Sequence, residues 1–239
     1  MVFELLELAI VPALNEEATI GSVVATLRSR GHDVLVIDDG STDQTAHIAH
    51  LNGAIVLSLP LNLGVGGALR AGFRFAVENG YRSVVQVDAD GQHPTEQVVS
   101  LRLAAVQHDA HLVIGSRYLS HESTLKPSAP RRVSMSILAR IASRISRTQL
   151  TDTTSGFRII REPLLSAFAE SFPDYYLGDT FEATIAAARA GYRVVEVPAA
   201  LTPRLHGQSS ATTAQSIRLI AKVLLITILR LHPRVRRLK

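Results

Sequence analysis

The chain has 239 residues, of which 46% are hydrophobic; this suits one large α/β domain with a substantial core and excludes global disorder. It contains no Cys, which excludes a disulfide framework, a thiolate nucleophile and a thiolate metal site. The formal net charge of +4 is concentrated at Arg131, Arg132, Arg140, Arg144 and Arg147 and again at Arg230, Arg234, Arg236, Arg237 and Lys239. That pattern suits anionic lipid or phosphorylated ligands, and the absence of aromatic–basic interleaving argues against nucleic acid.

The first ten residues, MVFELLELAI, carry two Glu and no basic stretch, so they lead into a strand and do not form a secretory signal. An apolar run from Leu5 to Val11 is stopped by Pro12-Ala13-Leu14-Asn15-Glu16-Glu17. Ile20, Val23, Val24 and Leu27 recur at helical spacing between Glu17 and Arg30, and Gly31 ends that helix. A strand over Val34 to Ile37 runs into Asp38-Asp39-Gly40-Ser41-Thr42-Asp43, where Ser41 or Thr42 can cap the next helix, to about Leu51. After a strand over Ala54 to Leu57, a glycine loop from Asn62 to Gly67 precedes a helix from Ala68 to Glu78. This alternation is that of a doubly wound, mostly parallel sheet flanked by helices.

The next strand, Ser83 to Val87, is β-branched and nearly uncharged, and it runs into Asp88-Ala89-Asp90-Gly91-Gln92-His93-Pro94. If the backbone stays extended, Asp88 and Asp90 face one side and can share a divalent cation; otherwise the segment is a polar turn. Acids also follow the earlier strands. Asp38 and Asp39 can accept hydrogen bonds from a ribose or base, whereas Glu17 and Asp43 are well explained as helix caps. The glycines at 64–67 fit neither a dinucleotide fingerprint nor a Walker loop.

Downstream, a helix to about Gln107 and a strand over His111 to Ile114 lead to Gly115-Ser116-Arg117-Tyr118 and a polar loop, Leu119 to Pro130. Arg131 to Arg147 reads as a basic amphipathic helix, suited to a headgroup surface or, alternatively, an ordinary solvated face. Thr151 to Arg158 precedes a strand ending near Ile160, followed by helices over Pro163–Ala169 and Thr180–Ala190. A strand spans Arg193 to Val197, another is possible over Leu201 to Arg204, and His206 reads as a loop histidine. The last helix, about Ala214 to Leu231, has its longest uncharged run from Val223 to Leu229, too short to span a bilayer. It suits a membrane interface with a basic tail, or docking on the protein itself. The chain therefore divides into an α/β domain over 1–212 and an interfacial helix and tail over 213–239.

The motifs PALNEE, DDGSTD, NLGVGGALRAG, DADGQHP, GSRY, DTTSGFR and RLHGQSS occur in an order that closely resembles family 2 glycosyltransferases, nearest to the dolichyl- and polyprenyl-phosphate sugar synthases. The resemblance implies a GT-A fold and inverting transfer from a UDP- or GDP-sugar, with Mg²⁺ or Mn²⁺ as cofactor. It implies that Pro12, Ala13, Asn15, Glu17, Asp39 and Asp43 hold the nucleoside side of the donor, with Gly64, Gly67 and Ala89 alongside. Asp88 and Asp90 would hold the metal, supported by Gln92. Arg117, Arg131 or Arg132, Ser134 and Arg204 would bind phosphate, and Asp179 or Glu182 would face the sugar. Met135 stands where the family usually has a serine near the acceptor phosphate, so Ser134 or Ser136 would take its place. The implied acceptor is a polyprenyl phosphate at the cytoplasmic face of the membrane, with a saccharide or protein hydroxyl as the alternative; a homo-oligomer is left open. A nucleotidyltransferase is disfavoured, because the Pro12 to Glu17 segment lacks its glycine loop and lysine.

Overall fold

Seven strands form one sheet in the order β3-β2-β1-β4-β6-β5-β7. They are β1 (Glu7–Ala13), β2 (Asp33–Asp38), β3 (Ile55–Ser58), β4 (Ser83–Gln86), β5 (Leu112–Ser116), β6 (Arg158–Arg161) and β7 (Val194–Pro198). The computed structural model describes residues 6–119, 129–172, 179–200 and 235–238, and at 129–134 and 179 the backbone alone. The possible strand at Leu201 to Arg204, together with Arg204, His206, most of the polar loop and the helix from Ala214, lies outside the described residues.

Period-two alternation along buried strands builds two cores. Leu8, Ile10, Leu35, Ile37, Val84, Leu112, Ile114 and Ile160 face one side of the sheet. That side is covered by α3 (Gly64–Glu78), α5 (Ala129–Ser146), α6 (Leu164–Glu170) and α7 (Asp179–Arg189). Ala9, Val11, Val34, Val36, Val85, Val113 and Ile159 face the other side. There they meet α1 (Ile20–Ser29), α2 (Thr45–Leu51) and α4 (Val98–Gln107). At Gly72 the sheet and α3 approach so closely that a Cβ would lie 2.9 Å from Ile37 Cδ1.

β1 pairs in parallel with β2 and β4, and β7 in parallel with β5, but β6 is antiparallel to both neighbours. Gln86, near the carboxyl end of β4, is therefore opposite Arg158, the first residue of β6. The segment entering β6 lies at the same sheet edge as the segments leaving β4 and β5. This reversal creates the site.

The structure corrects two local expectations. The glycines from Gly64 to Gly67 form the first turn of α3, because Asn62 Oδ1 accepts the Gly64 N–H at 2.9 Å and starts the helix. Neither Ser41 nor Thr42 caps α2; Ser41 Oγ accepts the Asn15 N–H and the Thr42 N–H goes to Asn15 Oδ1, each at 2.9 Å. Part of the basic tail is seated on the protein: Val235 is buried, the Leu238 N–H donates to Ala190 O, and Tyr192 OH donates to Arg236 O. Arg236 also reaches Glu170 at 3.3 Å.

At the opposite edge, Arg102 pairs with buried Glu7 at 2.6 Å, and His32 Nδ1 stands 3.7 Å from the same carboxylate. Burial depresses the His32 pKa despite Glu7, and Arg102 and Arg30 add to the depression. Folding therefore favours the neutral ring, while the unfolded chain takes up a proton below about pH 6.5. The contribution is present above that value and lost as pH falls. The urea midpoint is expected to drop between about pH 7.5 and about pH 5.5, by less in His32→Asn.

Candidate active site

β4 is buried throughout and ends at Gln86, and the Val87 N–H donates to Ile10 O at 3.0 Å. The chain then turns at Ala89-Asp90, helped by Gly91 at φ 73° and by Asp90 Oδ1 accepting the Gln92 N–H at 3.0 Å. Extended alternation therefore does not bring the two aspartates together, which corrects the sequence argument. The turn gives them different settings: the Asp88 side chain is 41% exposed at the sheet edge, whereas Asp90 is 4% exposed. Gly156, entering β6, lies against Asp88, and a Cβ there would be 2.7 Å from Asp88 Oδ1.

Arg117 leaves β5 at the same edge, and two of its guanidinium nitrogens are already engaged. Its Nε and Nη2 donate to the two carboxylate oxygens of Asp152 at 2.6 and 2.7 Å, and its backbone N–H adds a third bond. Nη2 also reaches Thr154 Oγ1 at 2.7 Å, which leaves Nη1 without a hydrogen bond among the described residues. Burial opposes the guanidinium charge, yet bonding and attraction to Asp152, with a smaller contribution from Asp88, hold the Arg117 pKa above its ordinary value. Asp152 is fully buried and is anchored by Glu196 on β7, whose carboxylate accepts the Asp152 and Thr151 N–H groups, each at 2.6 Å. Burial raises the Glu196 pKa against those hydrogen bonds, and the Asp152 charge raises it further.

Arg158 is a second internal brace that the sequence reading left unassigned. Buried at the start of β6, it donates to Ser155 O, Thr153 O and Thr180 O, tying the entering segment to the first turn of α7. Glu182 lies on α7 and is 2% exposed, while the Asp179 side chain is outside the described residues. The side chains of Arg131, Arg132 and Ser134 are likewise outside them, although α5 carries all three. Met135 on the same helix accepts a hydrogen bond from Tyr118 OH at 2.9 Å.

The predicted nucleoside-binding residues gather beyond β1 and β2. Asp39 is buried; its Oδ1 accepts the Leu63 N–H at 2.7 Å and its N–H reaches Ala13 O. Asp38 turns instead to the Ser41 N–H at 3.0 Å, so the adjacent charges serve different amides. Asp43 Oδ2 accepts the Glu17 N–H and Glu17 Oε2 accepts the Gln44 N–H, so this pair joins the two loops. Asn15 holds the left-handed conformation, φ 54°, that its bonds to Ser41 and Thr42 require. Pro12 is half-buried, and the side chains of Ala13 and Ala89 face the core. Gly67 is closed in by Leu63, whose Cβ would stand 2.5 Å from an added Cβ.

All candidate metal donors are oxygens, suited to Mg²⁺ or Mn²⁺. Asp88 fits best, since its carboxylate is half-exposed and the missing Cβ of Gly156 leaves it room at the sheet edge. Among the described residues no three His, Asp or Glu side chains cluster at metal-binding distance. A cavity of 870 Å³ lies at the opposite sheet edge, by His108, Arg147, Arg189 and Arg193. There Arg193 Nη1 satisfies His108 O beyond α4, and Arg189 lies in the last turn of α7. These cations answer helix carboxyl ends.

A sequence model described as Glycosyl transferase family 2 matches residues 8–168. The chain belongs to that family and is a glycosyltransferase. It is 35% identical over 213 residues to the undecaprenyl-phosphate mannosyltransferase of Micrococcus luteus, covering 84% of this chain and 86% of that one. It is 33% identical to the polyprenol monophosphomannose synthase of Mycolicibacterium smegmatis, covering 84% and 79%. A solved glucosyl-3-phosphoglycerate synthase from Mycobacterium tuberculosis, in complex with Mn²⁺, uridine diphosphate and glucosyl-3-phosphoglycerate, superposes with a TM-score of 0.67. At 20% identity, over 94% of this chain and 78% of that one, the likeness is one of fold. The fold is that of the GT-A glycosyltransferases.

Proposed function

We propose that the protein transfers a sugar, with inversion, from a nucleotide-diphosphate sugar to a polyprenyl phosphate at the cytoplasmic face of a membrane. The observation that carries the chemistry is the placement at one sheet edge of a half-exposed Asp88 and an Arg117 whose charge Asp152 secures. The names of the two relatives support the acceptor class. No helix among the described residues is long and apolar enough to cross a membrane. Attachment is assigned to α5, whose Arg140 and Arg144 are exposed.

Asp39 offers the nucleoside its Oδ2, because Oδ1 is committed to the Leu63 amide. Asp88, with Asp90 behind it, would hold Mg²⁺ or Mn²⁺ against the donor diphosphate. When bound, the cation supplies Lewis-acid stabilisation of the charge growing on the leaving oxygens. Arg117 adds a fixed positive charge through Nη1 without reorganising, the condition under which electrostatic stabilisation is strongest. A phosphate monoester, with its second pKa at about 6, is largely a dianion at neutral pH and attacks without a general base. Glu182, buried on α7, then serves to shape the sugar subsite and does not abstract a proton.

The test is a thermal-shift panel of UDP- and GDP-sugars with Mn²⁺, followed by assay of the best donor. Ligand at about 100 times its Kd stabilises by about 2.7 kcal/mol, a readily measured shift. Transfer to decaprenyl or undecaprenyl phosphate in detergent is the expected result. Transfer to a free saccharide hydroxyl but not to the lipid phosphate would overturn the acceptor assignment.

A further inference from the structure

We infer that His93 is a positioning residue that locks Asp88 in place for the donor; the inference rests on the diphosphate-facing role proposed for Asp88. The His93 ring touches both ends of that aspartate. The Asp88 backbone N–H donates to Nδ1 at 2.9 Å, and Nε2 stands 3.5 Å from Asp88 Oδ2. An amide N–H can only donate, so Nδ1 is the acceptor and Nε2 carries the ring proton in the neutral ring. That tautomer satisfies the Asp88 backbone amide, and the 3.5 Å approach of Nε2 to Oδ2 is a packing contact beside the carboxylate and not a hydrogen bond. The histidine side chain is 2% exposed, and its ring centroid lies 5.1 Å from that of Phe157, so it cannot swing away from the contact.

Gly156 closes the remaining side. Its missing Cβ leaves the space occupied by the carboxylate, since an added Cβ would lie 2.7 Å from Oδ1 and 2.9 Å from Oδ2. Asp88 is therefore held by His93 on one flank and limited by Gly156 on the other, while 41% of its side chain stays open. Residues that orient a metal-binding carboxylate change metal affinity by about 10- to 100-fold when replaced. A histidine serving only to fill the core would have no such effect once its ring is replaced by another.

The experiment measures Mn²⁺ affinity of the full chain in the presence of UDP or GDP, by counting free Mn²⁺ with electron paramagnetic resonance. His93→Phe keeps a ring against Phe157 and removes both nitrogens; affinity is expected to fall about 10-fold or more. His93→Asn restores an acceptor where Nδ1 stands, and most of the affinity is expected to return. Gly156→Ala leaves His93 intact but crowds Oδ1, and it is expected to weaken Mn²⁺ as well; should His93→Phe misfold, His93→Ala, which also removes both nitrogens, takes its place beside His93→Asn. Wild-type affinity in folded His93→Phe, or an equal loss in His93→Asn, would overturn the inference and leave the role of Asp88 standing. Failure of the unaltered protein to bind Mn²⁺ with either nucleotide would remove that role, and this assignment with it.

Discussion

Asp88→Asn is expected to lower the rate of sugar transfer by about 100-fold or more, in line with the 10²–10³ lost when one preorganised electrostatic contact to a developing charge is removed. The substitution is nearly isosteric, and the carboxylate it neutralises is half-exposed, so the ligand-free unfolding midpoint should scarcely move. Asp90→Asn separates charge from architecture in another way. An asparagine Oδ1 can still accept the Gln92 N–H that holds the turn, so a loss of activity there reports charge and not a broken loop. Both variants should also lose the extra thermal stability that Mn²⁺ and nucleoside diphosphate confer on the unaltered protein. Transfer rates within about tenfold of normal in both variants would show that neither aspartate stabilises the leaving diphosphate.

The strands were legible in sequence as short apolar or β-branched runs, most clearly at 8–11, 34–37 and 84–85, where the side chains are buried on both faces. β6 was visible as a strand, but its direction was not: Arg158–Arg161 contains nothing that distinguishes parallel from antiparallel pairing. That one reversal decides the site, since it brings Gly156 to Asp88 and Asp152 to Arg117. Asp152 was in view within DTTSGFR, but its partner lies across a strand pairing that no local pattern encodes. Glu196 carried a weaker signal, a lone acid in an otherwise apolar strand. Arg117 stood out in GSRY, but its clamp by Asp152 was not legible, because an arginine at a strand end looks the same whether or not a carboxylate already holds it.

Removing that partner should give the largest stability loss available near the site. Asp152→Ala leaves the Arg117 guanidinium, only 17% exposed as a side chain, with the Thr154 hydroxyl as its remaining acceptor. Breaking a buried ion pair from one side costs about 3–5 kcal/mol, since the orphaned charge stays desolvated. Asp152→Asn should cost less, about 1.5–3 kcal/mol, because the carboxamide oxygen still accepts from Arg117 while the backbone N–H still reaches Glu196. Arg117→Ala carries its own penalty: Asp152 is fully buried and would be left beside the Glu196 carboxylate with no cation between them. Urea unfolding of Asp152→Ala, of Arg117→Ala and of the two combined would resolve the coupling. The double variant is expected to be more stable than the sum of the single losses predicts, because both desolvation penalties disappear together. Strict additivity would mean that the 2.6 Å contact contributes nothing to holding Arg117. The guanidinium would then have no fixed position from which to steer an incoming anion.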